Sequence, residues 1–193
     1  MYSNSQIQFR AKGISMGRPT RKVEILLAAS KIVKEQGIFN LTLEATAAKA
    51  GISKGGLLYH FPSKEALVRG MVEHLASNYE EKVAIHVGES LEEKGKWTKS
   101  YVDVTFNSAY ENADMHAGLL AAKAVNTELL APIRDLFSKW QIEIENDGID
   151  PIKATIIRLA TDGIWLSELF DIHHIEEEKK KIIYQKLLLW ANE

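Results

Sequence analysis

Cysteine is absent from the 193 residues, which excludes disulfides, thiolate-bound zinc and a thiol nucleophile, and fits a reducing compartment. Only four prolines and twelve glycines occur, too few for a collagen-like or linker-like chain. No stretch approaches the roughly 18 uncharged apolar residues of a membrane-spanning helix. The N-terminal stretch carries Arg10 and Lys12 without an apolar run, so no secretory signal is read there. These absences favour a cytoplasmic protein with no membrane partner, in which the sequon Asn40-Leu41-Thr42 has no role. Hydrophobic residues make up 46% of the chain, enough to build a packed core.

The net charge of −2 conceals an asymmetry. Residues 1–69 hold eleven lysines and arginines against four acids, a net of +7, whereas residues 70–193 hold thirteen against twenty-two, a net of −9. A basic third on an acidic remainder suggests a polyanion-binding module joined to a body that does not touch the polyanion. Chance clustering of charge is the other reading.

Periodicity of 3.6 residues recurs along the chain and no alternating strand pattern appears, so the fold class is all-α. A first helix is expected over 21–36, with Ile25, Ala29, Ile32 and Val33 on one face and Gly37 as its stop. Thr42 is placed to cap a short helix over 43–50, and Ser53 to cap another over 54–60, with Gly51 turning between them. Ser63 would cap a connecting helix over 63–88, whose apolar stripe comprises Leu67, Val68, Met71, Val72, Leu75, Tyr79 and Val83. Further helices are expected over 97–113, 115–124, 127–146, 151–170 and 176–191, with Asp150 and Pro151 opening the fourth of these. Pro132 either opens a helix or kinks one.

The stretch from Thr42 to Phe61 reads as a helix-turn-helix. Alanines 45, 47, 48 and 50 allow two helices to approach closely, and Gly51 permits the turn. In such a motif the second helix enters a major groove while flanking hydroxyls and cations hold phosphates. Lys54, Tyr59, His60 and Lys64 are donors of that kind; Tyr59 and His60 read equally well as ordinary surface residues of a short helix.

The run from Gly17-Arg18-Pro19-Thr20 through Leu41-Thr42-Leu43, Ala47-Ala48-Lys49-Ala50-Gly51-Ile52-Ser53-Lys54-Gly55 and Leu57 to His60-Phe61-Pro62-Ser63-Lys64-Glu65-Ala66-Leu67 closely resembles the TetR family of bacterial transcriptional repressors, and Asp162-Gly163-Ile164-Trp165-Leu166-Ser167-Glu168-Leu169-Phe170 looks like one branch of it. The resemblance implies a three-helix DNA-binding domain over 18–64 and a helical dimerisation and ligand domain over 65–193. Thr42 then resembles the phosphate-binding cap of the second helix, and Lys64 the phosphate-binding lysine opening the fourth. Tyr59 and His60 match backbone-contacting positions. Ser53, Lys54, Gly55 and Gly56 fall where relatives face the groove, and Arg18 lies where an arm can reach it. Family members commonly carry Tyr where this chain has Leu58. Because glycines 55 and 56 offer no side chain, base preference is expected to rest on Lys54, on contact of Leu58 with a thymine methyl, and on DNA shape.

The expected protein is therefore a homodimeric repressor of a roughly palindromic operator, released by an unidentified small-molecule effector and needing no cofactor or metal. A regulator whose C-terminal domain only dimerises or docks a protein is the alternative. Candidate effector contacts are Trp97, Tyr101, Phe106, Tyr110, His116, Asn126, Trp140, Asp162 and Trp165, each of which also reads as core or interface. Ile156, Leu159, Gly163, Ile183, Leu187 and Trp190 are the expected dimer face, because the last two helices carry apolar residues on more than one side.

Other signals carry less. Gly51-Ile52-Ser53-Lys54-Gly55 fits the nucleophile-elbow pattern, but a helix precedes it where a strand is required. Adjacent His173 and His174 lack metal-site spacing, and Lys179-Lys180-Lys181 after three glutamates reads as a charged helix face. No acid, base and nucleophile assemble, so no enzyme is expected. Residues 1–17 are expected as a flexible arm, of which residues 1–15, preceding a second methionine at Met16, read equally as a leader or a mis-assigned start.

Overall fold

The computed structural model describes residues 19–108 and 113–193, the side chains of 108 and 113–116 excepted. Among the described residues there are nine α-helices and no strand: α1 (Arg21–Gln36), α2 (Leu43–Lys49), α3 (Lys54–His60), α4 (Lys64–Glu89), α5 (Lys96–Ser108), α6 (Ala113–Val125), α7 (Ala131–Glu145), α8 (Pro151–Leu169) and α9 (Glu177–Trp190). The expected helices are all present. Helix α5 is described as far as Ser108, residues 109–112 of its expected span lying outside the described residues, and the segment expected as one helix over 127–146 begins with a 3-10 turn at Thr127–Leu130. Pro132 lies in the first turn of α7, where its missing N–H costs nothing, so it opens the helix instead of kinking it.

Capping sets the boundaries. Thr20, Thr42, Ser53, Ser63 and Asp150 each accept a backbone N–H from the first turn of the helix that follows, satisfying donors that an uncapped helix leaves orphaned. Gly37 and Gly51 adopt positive φ at the turns, where a side chain would be strained.

One core runs through the molecule. The whole apolar stripe of α4 expected from sequence is buried, and it packs on α5, α6 and α7, while α6 also packs on α1. The connecting helix is thus embedded, and α6 touches both the first helix and the connector. The approach of α6 to α4 is close enough that a Cβ added to Gly118 would come within 2.9 Å of Met71 Cβ. At the far end, buried Asp147 from the α7–α8 turn accepts the backbone N–H groups of Trp97 (3.0 Å) and Thr98 (2.7 Å), capping α5 across the fold.

Candidate nucleic-acid interface and helical-domain cavity

Helices α2 and α3 are fixed from below. Leu57, the one fully buried side chain of α3, and Ala47 of α2 enter the core, and Ile52 N–H donates to Ala47 O at 3.0 Å across the turn. The opposite side of α3 is left outward: Lys54, Gly55, Gly56, Leu58 and Tyr59 are all exposed. A Cβ on Gly55 would meet nothing, so that position leaves an open approach for a partner's backbone. Tyr59 is 86% exposed and its ring meets that of half-buried His60 edge-on at 5.2 Å. Leu58, at 37%, adds an apolar contact to the same surface.

Charge on this surface is arranged in pairs and caps. Lys54 Nζ lies 2.5 Å from Glu44 Oε1, and this contact holds the Glu44 carboxyl below its usual range. Lys49 pairs with Glu35 at 2.8 Å. Thr42 Oγ1 accepts from Ala45 N–H at 3.0 Å and Ser53 Oγ from Gly56 N–H at 3.1 Å, which presents the positive ends of two helix dipoles beside the exposed face. The capping role of Ser53 accounts for the nucleophile-elbow pattern without chemistry. Half-buried Lys64 lies 3.5 Å from Ile38 O, so its ammonium is gathered toward the loop before α2. Arg18 lies outside the described residues. Sequence reading missed Phe39, 95% exposed on the turn before α2; a lone aromatic outside any periodic pattern gave no signal.

The candidate effector residues divide. A narrow apolar cavity between α4, α5, α7 and α8 is lined by Tyr101 and Trp165 together with Leu75, Tyr79, Thr105, Ile133, Leu136 and Phe137, and it has room for about one water molecule. Trp140 is buried beside it, its ring 5.5 Å from Tyr101 and 5.8 Å from Phe137. Asp162 stands behind the wall, accepting from the Tyr101 hydroxyl and pairing with Arg158 at 3.2 Å; burial raises its carboxyl above the ordinary range, and burial and Asp162 both raise the Tyr101 hydroxyl. Trp97, Phe106 and Asn126 do not join the cavity. Trp97 sits at the Asp147 cap, Phe106 packs on Tyr184 at 5.4 Å, and exposed Asn126 caps the 3-10 turn by accepting from Glu128 N–H. Tyr110 and the side chain of His116 lie outside the described residues. Of the cavity positions that sequence reading missed, Tyr79 and Leu75 were absorbed into the apolar stripe of α4, while Phe137 was not singled out.

On α8, Ile156, Leu159 and Gly163 are exposed, and Ile152, Leu166 and Phe170 continue the same stripe at helical spacing. Ile182, Leu189 and Trp190 of α9 are exposed as well. Leu187 corrects the expected set, because at 3% exposure it packs into the chain's own core; Ile183 is half-buried against that core. Among the described residues no group of three or more acids and histidines is spaced to hold a metal, and no helix is long and apolar enough to cross a membrane.

Residues 25–71 match the profile of bacterial regulatory proteins of the tetR family, and residues 95–192 match the tetracyclin repressor-like C-terminal domain. The chain is similar to the HTH-type transcriptional repressor KstR2 of Rhodococcus jostii, 38% identical over 72 residues and covering 35% of each protein. It is also similar to the nucleoid occlusion factor SlmA of Aliivibrio fischeri, 25% identical over 135 residues and 66% of each; it therefore spans less than two thirds of either relative. Among solved structures, the fatty acid degradation regulator FadR from Bacillus halodurans shares the fold, with a TM-score of 0.69 over 89% of this chain and 96% of that one at 16% identity.

Proposed function

Because the chain belongs to the TetR family of bacterial transcriptional regulators, we propose that it acts as a cytoplasmic repressor that binds a roughly palindromic operator as a homodimer and leaves it when a small molecule occupies the helical domain. The observation that carries this reading is the outward face of α3. Lys54, two glycines, Leu58 and Tyr59 are exposed there, on a helix anchored by Leu57 and flanked by two capped N-termini. A bare, slightly apolar surface of this kind can lie close against base edges while Tyr59 and Lys64 meet phosphates.

In this reading the DNA-binding domain comprises residues 18–64 and the ligand and dimerisation domain residues 65–193; residues 1–17 lie outside the described residues. Thr42, Ser53 and Lys64 position the backbone, and Lys54 and Leu58 read bases. The second copy covers the α8–α9 face of Ile156, Leu159, Gly163 and Trp190, which sets the spacing of the two α3 helices. An effector acts by binding one arrangement of the heads more tightly than the other. Packing of α6 on both α1 and α4 supplies a physical connection between the two ends.

A second reading has its own support: the cavity is narrow, which favours a regulator whose C-terminal domain dimerises or docks a protein without a small ligand. Fluorescence-polarisation titration against DNA from directly upstream of the protein's own gene, with scrambled competitor at two salt concentrations, tests the DNA-binding reading. Specific, salt-sensitive binding saturating at two chains per site supports it; binding equal to scrambled DNA in every upstream fragment overturns operator recognition.

A further inference from the structure

Among the described residues from 19 to 64, three large apolar side chains stand exposed: Phe39, Leu58 and Tyr59. Leu58 and Tyr59 belong to the outward face of α3. Phe39 does not; it stands on the 3-10 turn Ile38–Asn40 ahead of α2, 95% exposed. The turn that carries it is fixed on every side. Leu41 is fully buried and Ile38 packs against the core. Asn40 Nδ2 donates to Gln36 O at 2.5 Å, and the N–H groups of Asn40 and Leu41 donate to Gly37 O and Ile38 O, each at 3.2 Å. The turn also packs on α1 and α6. With Ile38 and Leu41 drawn inward, the Phe39 ring is held out on a rigid mount.

Its place gives the ring a partner. Lys64 Nζ lies 3.5 Å from Ile38 O, the carbonyl of the peptide that joins Ile38 to Phe39. Thr42, three residues further on, caps α2. Lys64 and Thr42 are phosphate-positioning groups in the reading above, so the ring borders that surface. Outside the base stack, duplex DNA offers apolar surface in its thymine methyls and on the C–H faces of its sugars. With α3 in the major groove, the deoxyriboses flanking a phosphate held by Lys64 are the apolar surface nearest to Phe39. One ring is enough to cover one sugar. A protein partner would need a contiguous apolar patch, yet among the described residues no other large apolar side chain of the turn or of α2 is exposed. The surrounding third of the chain is basic, with a net of +7 over residues 1–69, which favours a polyanion.

We infer that Phe39 packs against a deoxyribose of the DNA backbone, beside the phosphate that Lys64 and Thr42 hold, and supplies an uncharged contact that is blind to sequence. The inference rests on the DNA-binding reading of α3 but not on recognition of an operator, because the sugar is the same under every base.

Fluorescence-polarisation titrations of the full chain test it, using duplex DNA from upstream of its own gene and a scrambled duplex, each across a salt series. Phe39→Ala is expected to weaken binding to both duplexes by about tenfold, and Phe39→Leu by less. A contact without charge releases no counterion, so the slope of log K against log salt should stay at the wild-type value, unlike that of Lys64→Ala. Tm should not change, since the ring touches little of its own chain. A chain in which p-benzoylphenylalanine replaces Phe39 should cross-link to duplex DNA under ultraviolet light, through sugar C–H bonds. Wild-type affinity in Phe39→Ala, a lowered salt slope, a loss confined to one duplex, or cross-links to protein alone would overturn the inference. Wild-type protein that binds both duplexes alike, with Phe39→Ala still weaker on each, would leave the sugar contact standing and sink operator recognition instead.

Discussion

Lys54 and Glu44 face each other across the helix-turn-helix at 2.5 Å, the cation on the first residue of α3 and the carboxylate in the first turn of α2. Both side chains are more than half exposed, so the pair adds little to stability. In the proposed function its consequence lies at DNA, where Lys54 would exchange Glu44 for the nucleic acid and Glu44 would stay behind as a negative charge near phosphates. Glu44→Gln should therefore raise affinity for operator and scrambled DNA alike, with no change in Tm. Lys54→Ala should flatten discrimination between the two; an unchanged specificity ratio in competitive titration would remove Lys54 from base reading.

Lys64 stands apart from the α3 surface, gathered toward Ile38 O. A phosphate contact made there carries no sequence information. Lys64→Ala is expected to weaken binding to every DNA and to lower the slope of log K against log salt by about one, read from titrations across a salt series.

The exposed stripe on α8 predicts a clean separation of assembly from folding. Ile156→Glu and Leu159→Glu replace side chains that are 52% and 54% exposed in the single chain, so each chain should keep its helical circular dichroism. Sedimentation should show a shift from dimer to monomer, and operator affinity should fall with it. Dimers that persist in the double variant would place the interface elsewhere.

Asp147 supports α5 from outside the helix, accepting two backbone N–H groups while buried. Loss of an N-terminal cap costs about 1–2 kcal/mol. Asp147→Ala should lower the urea unfolding free energy by that amount, whereas Asn126→Ala, at the exposed cap of a 3-10 turn, should cost less.

Burial raises the Asp162 carboxyl above its ordinary value of 3.8, although Tyr101 and Arg158 pull it back. A carboxyl held protonated more firmly in the folded chain than in the unfolded one contributes its full stability below the unfolded value. That contribution is lost as pH rises through the native value. Asp162→Asn should therefore remove the stability that the Asp162 carboxyl loses as pH rises through its raised native value, read as the Tm difference between variant and wild type across a pH series starting near pH 4. Arg158→Leu should steepen that loss and destabilise the neutral protein by about 3 kcal/mol, because a buried carboxylate loses its partner.

Local information was sufficient for much of this. The capping hydroxyls at 20, 42, 53 and 63, the glycine at 51 and the apolar stripe of α4 act within a few residues of themselves, so their order along the chain determined the helices and the helix-turn-helix. The exposed surface of α3 followed, since on a seven-residue helix anchored by Leu57 the remaining side chains have nowhere else to point. Tertiary structure alone decided what depended on distant partners. It put Asp147 on the end of α5, set Glu44 against Lys54, made Leu187 a core residue, and chose among many buried aromatics the few that line one cavity. Tyr101 shows the physical reason: in sequence it is one aromatic on α5 among several, and only the packing of α4, α7 and α8 around it determines that it lines the cavity and donates to Asp162.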